Sequence, residues 1–452
     1  MKKYDVYKES GVDWIDKIPE NWNIAKLKYN ANISFSSVDR HQYETERRVE
    51  ICHYPDAYKN EVIDESTNLS VGSCTQNEFE KFQLKKDQVI ITKDSESAND
   101  IGVPTYVLKT LENAVCGYHL AIIETNKNIL SGKYIFRYLQ INIVKTYFEL
   151  NSNGVTRFGL GKPTIMNLSV PIIPLQEQNK INTYLDHKTT IIDALIDKKE
   201  LLIKKLQAQR QAIINEAVTK GLNNNAKMKS SGIEWLGEIP EHWDMVKLTW
   251  LTDFITCGLA ATPKYVEDNE GVPFLSAQNV KPGRIKLHKY RFISKELHQK
   301  LTKIRKPQKG DLLVTRVGAG IGEAAVVDID FEFSVYVSLT HIRTNQKLLS
   351  TFLMYFFSTE YAKNLALEGT VEGGGQGNLN VKNVENYRIA LPTLKEQQDI
   401  VKFLNSSTKK IDEAIRQSQD SIKKLKSYRQ AIISEAVTGK IDVRDWQAPK
   451  NN

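Results

Sequence analysis

Arg210-Gln211-Ala212-Ile213-Ile214-Asn215-Glu216-Ala217-Val218-Thr219 returns almost unchanged, 219 residues later, as Arg429-Gln430-Ala431-Ile432-Ile433-Ser434-Glu435-Ala436-Val437-Thr438. Upstream of each copy stands a Glu-Gln pair, Glu177-Gln178 and Glu396-Gln397, at the same offset. A second block opens each half: Ser10-Gly11-Val12-Asp13-Trp14, Ile18-Pro19-Glu20-Asn21-Trp22 and Lys26-Leu27 return as Ser231-Gly232-Ile233-Glu234-Trp235, Ile239-Pro240-Glu241-His242-Trp243 and Lys247-Leu248, offset by 221. Two blocks at nearly one offset mean a tandem duplication of roughly 220 residues, far longer than the 20 to 50 of solenoid repeats.

Each half runs from a region of short apolar runs through a proline, Pro174 or Pro392, into a long polar segment without proline. That segment reads as helix. In the first copy Ile181, Leu185, Ile192, Leu195, Leu202, Leu206 and Ile213 follow steps of three, four and seven, the seam of a coiled coil, interrupted at Lys188, Lys199 and Gln209. In the second, Ile400, Leu404, Ile411, Ala414, Leu425, Tyr428 and Ile432 match, with Ser407, Ser418 and Ser421 as weak spots. Neither seam has a partner within itself, so two helices of about 40 residues, about 60 Å each, are expected to bury their stripes against one another, antiparallel. A bare heptad pattern is also what a spacer or a homodimerising rod shows; the duplication weighs against that. The expected fold is α+β: a tandem pseudo-repeat of two α/β domains, residues 1–174 and 223–392, separated by two long antiparallel coiled-coil helices, 175–222 and 393–440, with a tail at 441–452. Asn223-Asn224-Asn225-Ala226-Lys227 reads as the linker between halves.

With 452 residues, 41% of them hydrophobic, the chain exceeds one ordinary core. A net charge of +8 suits a polyanionic partner without requiring one. Cys52, Cys74, Cys116 and Cys257 are too scattered for a zinc site or a disulfide framework, so a reducing cytoplasm fits best. No apolar h-region follows Met1, and no window approaches a membrane span.

Gly310-Asp311-Leu312-Leu313-Val314-Thr315-Arg316-Val317 followed by Gly318-Ala319-Gly320-Ile321-Gly322 looks like a cofactor loop, but Ala324-Ala325-Val326-Val327 resumes a strand where a helix is required. The matching run Val89-Ile90-Ile91-Thr92-Lys93 keeps only Ile101-Gly102 of the loop. Both read as hairpins. Between Lys281 and Lys309, eleven Lys or Arg face the single Glu296, with His288, Tyr290, Phe292 and His298 interleaved. A solvated face is the plain reading; a phosphate-tracking surface carrying Arg284, Lys286, Lys289 and Arg291 is the sharper one, with Gln278 and Asn279 placed for adenine edges. Before each long helix lies a polar loop, Asn151-Ser152-Asn153-Gly154-Val155-Thr156-Arg157 and Glu372-Gly373-Gly374-Gly375-Gln376-Gly377-Asn378-Leu379-Asn380, either an ordinary connection or a groove-entering segment. Lys93, Tyr118, His119 and Lys162 in the first half, and Arg316 and His341 in the second, complete the candidates for DNA contact, although a single histidine is more often structural.

Signatures of catalysis are missing from the sequence. Gly159-Leu160-Gly161-Lys162 lacks Walker spacing, and the absence of consecutive prolines rules out the Asn-Pro-Pro-aromatic motif of adenine methyltransferases.

Taken together, the Ser-Gly-x-x-Trp and Ile-Pro-x-x-Trp openings, Gly-Asp-Leu-Leu-Val-Thr before a hairpin, Glu-Gln at each helix start and Arg-Gln-Ala-Ile-Ile-x-Glu-Ala-Val-Thr at each helix end resemble the specificity subunits of Type I restriction-modification enzymes over nearly the whole chain. The resemblance implies two target-recognition domains held apart by two conserved helices that act as a ruler, each domain reading one half of a split, asymmetric site in double-stranded DNA. It further implies docking surfaces for two modification subunits, which bind S-adenosylmethionine and methylate adenine N6, with restriction subunits joining through them; no cofactor is expected in this chain. Two rivals stay open on the residues alone: a single-chain methyltransferase with a duplicated domain, and a non-enzymatic coiled-coil scaffold with two protein-interaction domains.

Overall fold

The computed structural model describes residues 2–268, 270–318, 320–368 and 378–449. Two compact units emerge, and neither is one continuous half of the sequence: the first joins Met1–Lys199 to Asp420–Asn452, the second is Glu200–Gln419. The repeated long segments are the helices Leu175–Lys220 and Leu394–Val437. Each unit therefore owns the start of one long helix and the end of the other.

In the first unit a five-stranded sheet has the order Ala31–Phe35, Leu120–Thr125, Val89–Thr92, Pro104–Val107, Val62–Ile63. A three-stranded sheet orders Ala114–Cys116, Arg47–Cys52 and Ser70–Cys74, its first pair parallel. The second unit repeats the plan. Thr252–Cys257, Leu339–Thr344, Leu312–Thr315 and Ala324–Val326 make one sheet; Tyr265–Val266, Arg291–Ser294, Gly271–Leu275 and Ser334–Val335 make the other, again with one parallel pair.

The central strands explain their unbroken apolar sequences. Side chains alternate across a strand, so Val89 and Ile91 enter one core while Ile90 enters the other; Leu312 and Val314 are likewise separated from Leu313. Both expected hairpins form, Val89–Thr92 with Pro104–Val107 and Leu312–Thr315 with Ala324–Val326, all antiparallel.

The repeated motifs seat the long helices. Trp22 is fully buried and its indole donates to Glu177 at 3.0 Å; Trp243 donates to Glu396 at 3.2 Å. Gln178 donates to the carbonyls of Ile129 and Ile173 and accepts from the Ser131 amide, all at 2.8 Å. Gln397 does the same with Lys347, Pro392 and Leu349. At the far end of the other helix, Gly439 and Gly221 both take φ +76°, the left-handed position that ends a helix. A Cβ on Gly439 would lie 3.0 Å from the Trp22 ring, and one on Gly221 would lie 3.1 Å from Trp243. The tryptophan of each opening motif thus fills the space between one helix start and the other helix end.

Antiparallel pairing of the helix pieces holds inside each unit. Arg429 donates to Asp193 at 2.9 Å in the first, and its counterpart Arg210 donates to Asp412 at 2.8 Å in the second. Gln430 reaches the Gln140 carbonyl and Gln211 the Ser358 carbonyl, so the Arg-Gln of the closing motif is accounted for twice.

The seam differs from its heptad reading. Leu185, Ile192, Leu404, Ile411 and Ile432 are buried as expected, and Leu206, Ile213 and Leu425 are half-buried. Leu195, Leu202 and Tyr428 are exposed. The buried row runs Ile181, Leu185, Thr189, Ile192, Ile196, and then in the second unit Ile400, Leu404, Thr408, Ile411. Thr189 and Thr408 turn their hydroxyls back to the carbonyls of Asp186 and Leu404, which lets a polar residue occupy the seam. Steps of four then carry the stripe to Ile196 instead of Leu195.

Candidate nucleic-acid interface

In the first unit three segments meet at one end of the large sheet. Lys93 follows the strand Val89–Thr92, and Tyr118-His119 precede the strand Leu120–Thr125; the Lys93 amide bonds the His119 carbonyl at 3.0 Å. The polar loop joins them, since the Leu160 amide bonds the Lys93 carbonyl at 2.8 Å and Phe158–Gly159 pairs with Asp94–Ser95. Asp94, which the sequence did not single out, organises the group. It accepts from Lys93 at 2.7 Å and lies 2.8 Å from His119 Nδ1. Burial would raise its carboxyl, but these hydrogen bonds hold it below the ordinary carboxylate value.

Arg157 approaches His119 Nε2 to 2.9 Å. A guanidinium only donates and a carboxylate only accepts, so this chain of contacts fits His119 carrying its proton on Nδ1. The Lys93 side chain is nearly buried, with its ammonium over the Tyr118 ring at 4.9 Å. Tyr118, Asn153, Thr156 and Arg157 stand exposed. Asn151 is exposed too, but its amide caps the preceding helix on the Tyr147 carbonyl. Lys162 is exposed on the short helix Lys162–Met166 beyond the loop.

The second unit builds the same junction from different side chains. Arg316 follows the strand Leu312–Thr315, its amide bonds the Ser338 carbonyl at 2.8 Å, and its carbonyl receives the Leu379 amide at 2.9 Å. Ser338 also accepts, through its hydroxyl, the Ala277 amide, which brings the Gln278 segment to the same place. Gln278 holds the Lys289 carbonyl at 2.6 Å, and Lys289 takes φ +55°, a left-handed conformation unusual for lysine. Asn378 is exposed and bridges Val317. Asn380 caps the helix Val381–Glu385 by accepting the Lys382 amide. Gln376 lies outside the described residues.

Three candidates are committed to the fold. Asn279 is fully buried; it accepts from the Ser276 amide and donates to the carbonyls of Lys286 and His288, leaving nothing for a base. Arg316 donates to the Leu379 and Val337 carbonyls, so its guanidinium shapes the junction without facing out. His341 is 1% exposed and bonds Asp311 at 2.7 Å. Burial would raise the Asp311 carboxyl, yet Arg343 and His341 hold it below the ordinary value, as befits a buried structural cluster.

Part of the basic run is engaged within the unit. Lys306 pairs with Glu332, and Lys309 with Asp328 and Asp330, while Arg291 stacks on Tyr265 at 4.6 Å. Arg284 lies beside a groove of 810 Å³ shared with Arg210, Asp412 and Arg416. Lys286 is half-buried. Lys289 is exposed, and Gln278 ties its backbone to the junction.

A family model described as a type I restriction modification DNA specificity domain matches residues 53–205 and 240–424. A putative type I restriction enzyme MjaX specificity subunit of Methanocaldococcus jannaschii is 24% identical over 438 residues, 95% of this chain and 96% of that one. The EcoKI specificity subunit of Escherichia coli is 24% identical over 380 residues, 82% of this chain and 78% of its own. Among solved structures, a chain of a type I R-M system superposes with a TM-score of 0.70 at 16% identity, covering 94% of this chain and 99% of that one. The HsdS subunit of Thermoanaerobacter tengcongensis superposes at 0.52 with 15% identity, covering 94% and 98%. Among the described residues, no helix is long and apolar enough to cross a membrane.

Proposed function

The chain belongs to the family of type I restriction-modification DNA specificity domains, and on that premise we propose that each unit reads one part of a two-part DNA target while the chemistry is performed by partner subunits. One observation carries this reading: the same backbone junction is built twice, yet presents different side chains. Tyr118-His119 in one unit stands where Val337-Ser338 stands in the other, and Gly159-Leu160 stands where Asn378-Leu379 stands. A shared scaffold with unlike tips is what two readers of unlike sequences need.

The exposed groups have the donor and acceptor patterns that base edges present. Arg157 can span the O6 and N7 of guanine, Asn153 and Gln278 can pair with adenine, and Thr156 can meet either strand or a thymine methyl. Lys289 suits a phosphate, a contact that positions the protein without specifying sequence. Asp94 fixes His119, and through it Arg157, so that the guanidinium is oriented before DNA arrives.

The partners in this reading are two modification subunits, holding S-adenosylmethionine and methylating adenine N6, with restriction subunits joining them. This chain contributes recognition and no catalytic group. Genome-wide mapping of adenine methylation in cells with and without the chain tests it. A two-part motif modified only when the chain is present is the expected result; a methylation pattern indifferent to the chain contradicts it.

A further inference from the structure

Tyr29 and Trp250 occupy the same place in the two units and are 71% and 69% exposed. Each belongs to a short 3-10 turn, Leu27–Tyr29 or Leu248–Leu251, that leads into the edge strand of its large sheet, Ala31–Phe35 or Thr252–Cys257. That edge strand is antiparallel to the strand that starts at the reading junction. Ala31 pairs with Thr125 and Thr252 with Thr344, the last residues of strands that begin at Leu120 and Leu339. Six residues of strand, about 20 Å, separate each aromatic from the junction. The two aromatics stand at the end of the sheet away from the reading groups.

The duplication makes this position informative. Most features kept in both halves, Trp22 and Trp243 or Gln178 and Gln397, are explained by packing. Features that read DNA have diverged. An exposed aromatic at the same place in both halves belongs to neither class: packing does not require it, and unlike half-sites do not preserve it. A ligand common to both units does. In the first unit the site also has depth, a pocket of 500 Å³ whose walls include Lys28, Tyr29, Glu124, Thr125 and Lys162. The Thr125 hydroxyl is buried there without a hydrogen-bond partner, and an unpaired buried hydroxyl marks a place where an incoming polar group is stabilised. In the second unit Asn345 ties the Trp250 carbonyl at 3.0 Å and fixes the turn that presents the ring.

We propose that Tyr29 and Trp250 are equivalent anchor residues for two copies of one protein partner, the modification subunit, one copy per unit. This rests on the function proposed above. The lysine flanks, Lys28 and Lys162 beside Tyr29 and Lys247 near Trp250, call for a partner patch that offers an apolar slot for a ring with carboxylates around it.

The test uses the full chain and the purified modification subunit of the same system. Light scattering and titration follow assembly, and gel shift on a target duplex follows DNA binding by the free chain. Tyr29→Ala and Trp250→Ala are each expected to weaken one of two binding events by about tenfold or more, and the double variant both, as for buried aromatic hot spots. Gel shift should stay at the parent level, and Tyr29→Trp should leave assembly at the parent level. Assembly of the double variant within about threefold of the parent overturns the inference alone, as does loss of DNA binding with assembly intact. A parent chain that binds no modification subunit overturns both this and the function it rests on.

Discussion

Removing the Glu177 carboxylate tests whether the repeated motifs hold each unit together. Glu177 is 5% exposed and accepts from two buried donors, the Tyr4 hydroxyl and the Trp22 indole. In Glu177→Ala both donors lose their acceptor, and an orphaned buried donor costs about 1–3 kcal/mol. A cavity of 750 Å³ borders the residue, so water can reach part of the gap. The loss is therefore placed at the lower end, about 2–3 kcal/mol in total. Hydrogen exchange reads this unit by unit: about 30- to 150-fold faster exchange is expected in segments 18–27 and 181–196, at 1.4 kcal/mol per tenfold. Segments of the second unit, such as 400–411, should be unchanged. Glu177→Gln keeps an acceptor and should lose less than half as much. Protection in the first unit that falls by less than about threefold, or falls equally in both units, would refute the reasoning.

Glu396, the counterpart in the second unit, is opposed by burial yet held down to about 2 by His242, Thr393 and Trp243. Its folded value lies below the ordinary 4.5, so the stabilisation is complete above about pH 4.5 and is lost as pH falls toward 2; the protection of segment 394–404 relative to the intrinsic exchange rate at each pH should hold from pH 6 to about pH 4.5 and fall from there to pH 3. Asn279→Ala removes three hydrogen bonds inside a fully buried turn, and should lower stability by about 2–3 kcal/mol in urea titrations while a folded fraction still binds DNA; unaltered stability with lost binding would return Asn279 to the reading surface. The Asp442 amide bonds the Lys2 carbonyl at 2.9 Å, so segments near the two ends of the sequence meet inside the first unit. Joining them with a short Gly-Ser linker and opening the chain between Asn223 and Ala226 should give a permutant whose circular dichroism and DNA binding match the parent.

The sequence showed the duplication, the long helices and both hairpins plainly, because repeat offset and apolar periodicity are written in chain order. Partnership is not. That the end of the Leu175–Lys220 helix completes the unit built on Ile239-Pro240-Glu241-His242-Trp243, with Gly221 against Trp243, depends on which surfaces meet in space. The seam slipped from Leu195 to Ile196 because Thr189 carries a buried position that an apolar-only reading skips. At the candidate interface, polar residue type picked out segments that the fold brings to one junction, but not the orientation of their side chains. Gln278 and Asn279 are neighbours of equal promise in sequence, and one is exposed while the other is wholly spent on a turn. Asp94 had no signal at all, since a single carboxylate gains its role only from the His119 and Lys93 that the fold brings to it.

The central claim is that each unit reads its own part of the DNA target. Residues 28–168 exchanged for the equivalent segment of another family member, with the rest of the chain untouched, isolate one reader. Methylome sequencing of cells carrying the chimera with the parent modification subunit should reveal a motif in which one half is new and the other is the parent's. A motif altered in both halves, or one that stays wholly parental, would contradict the account.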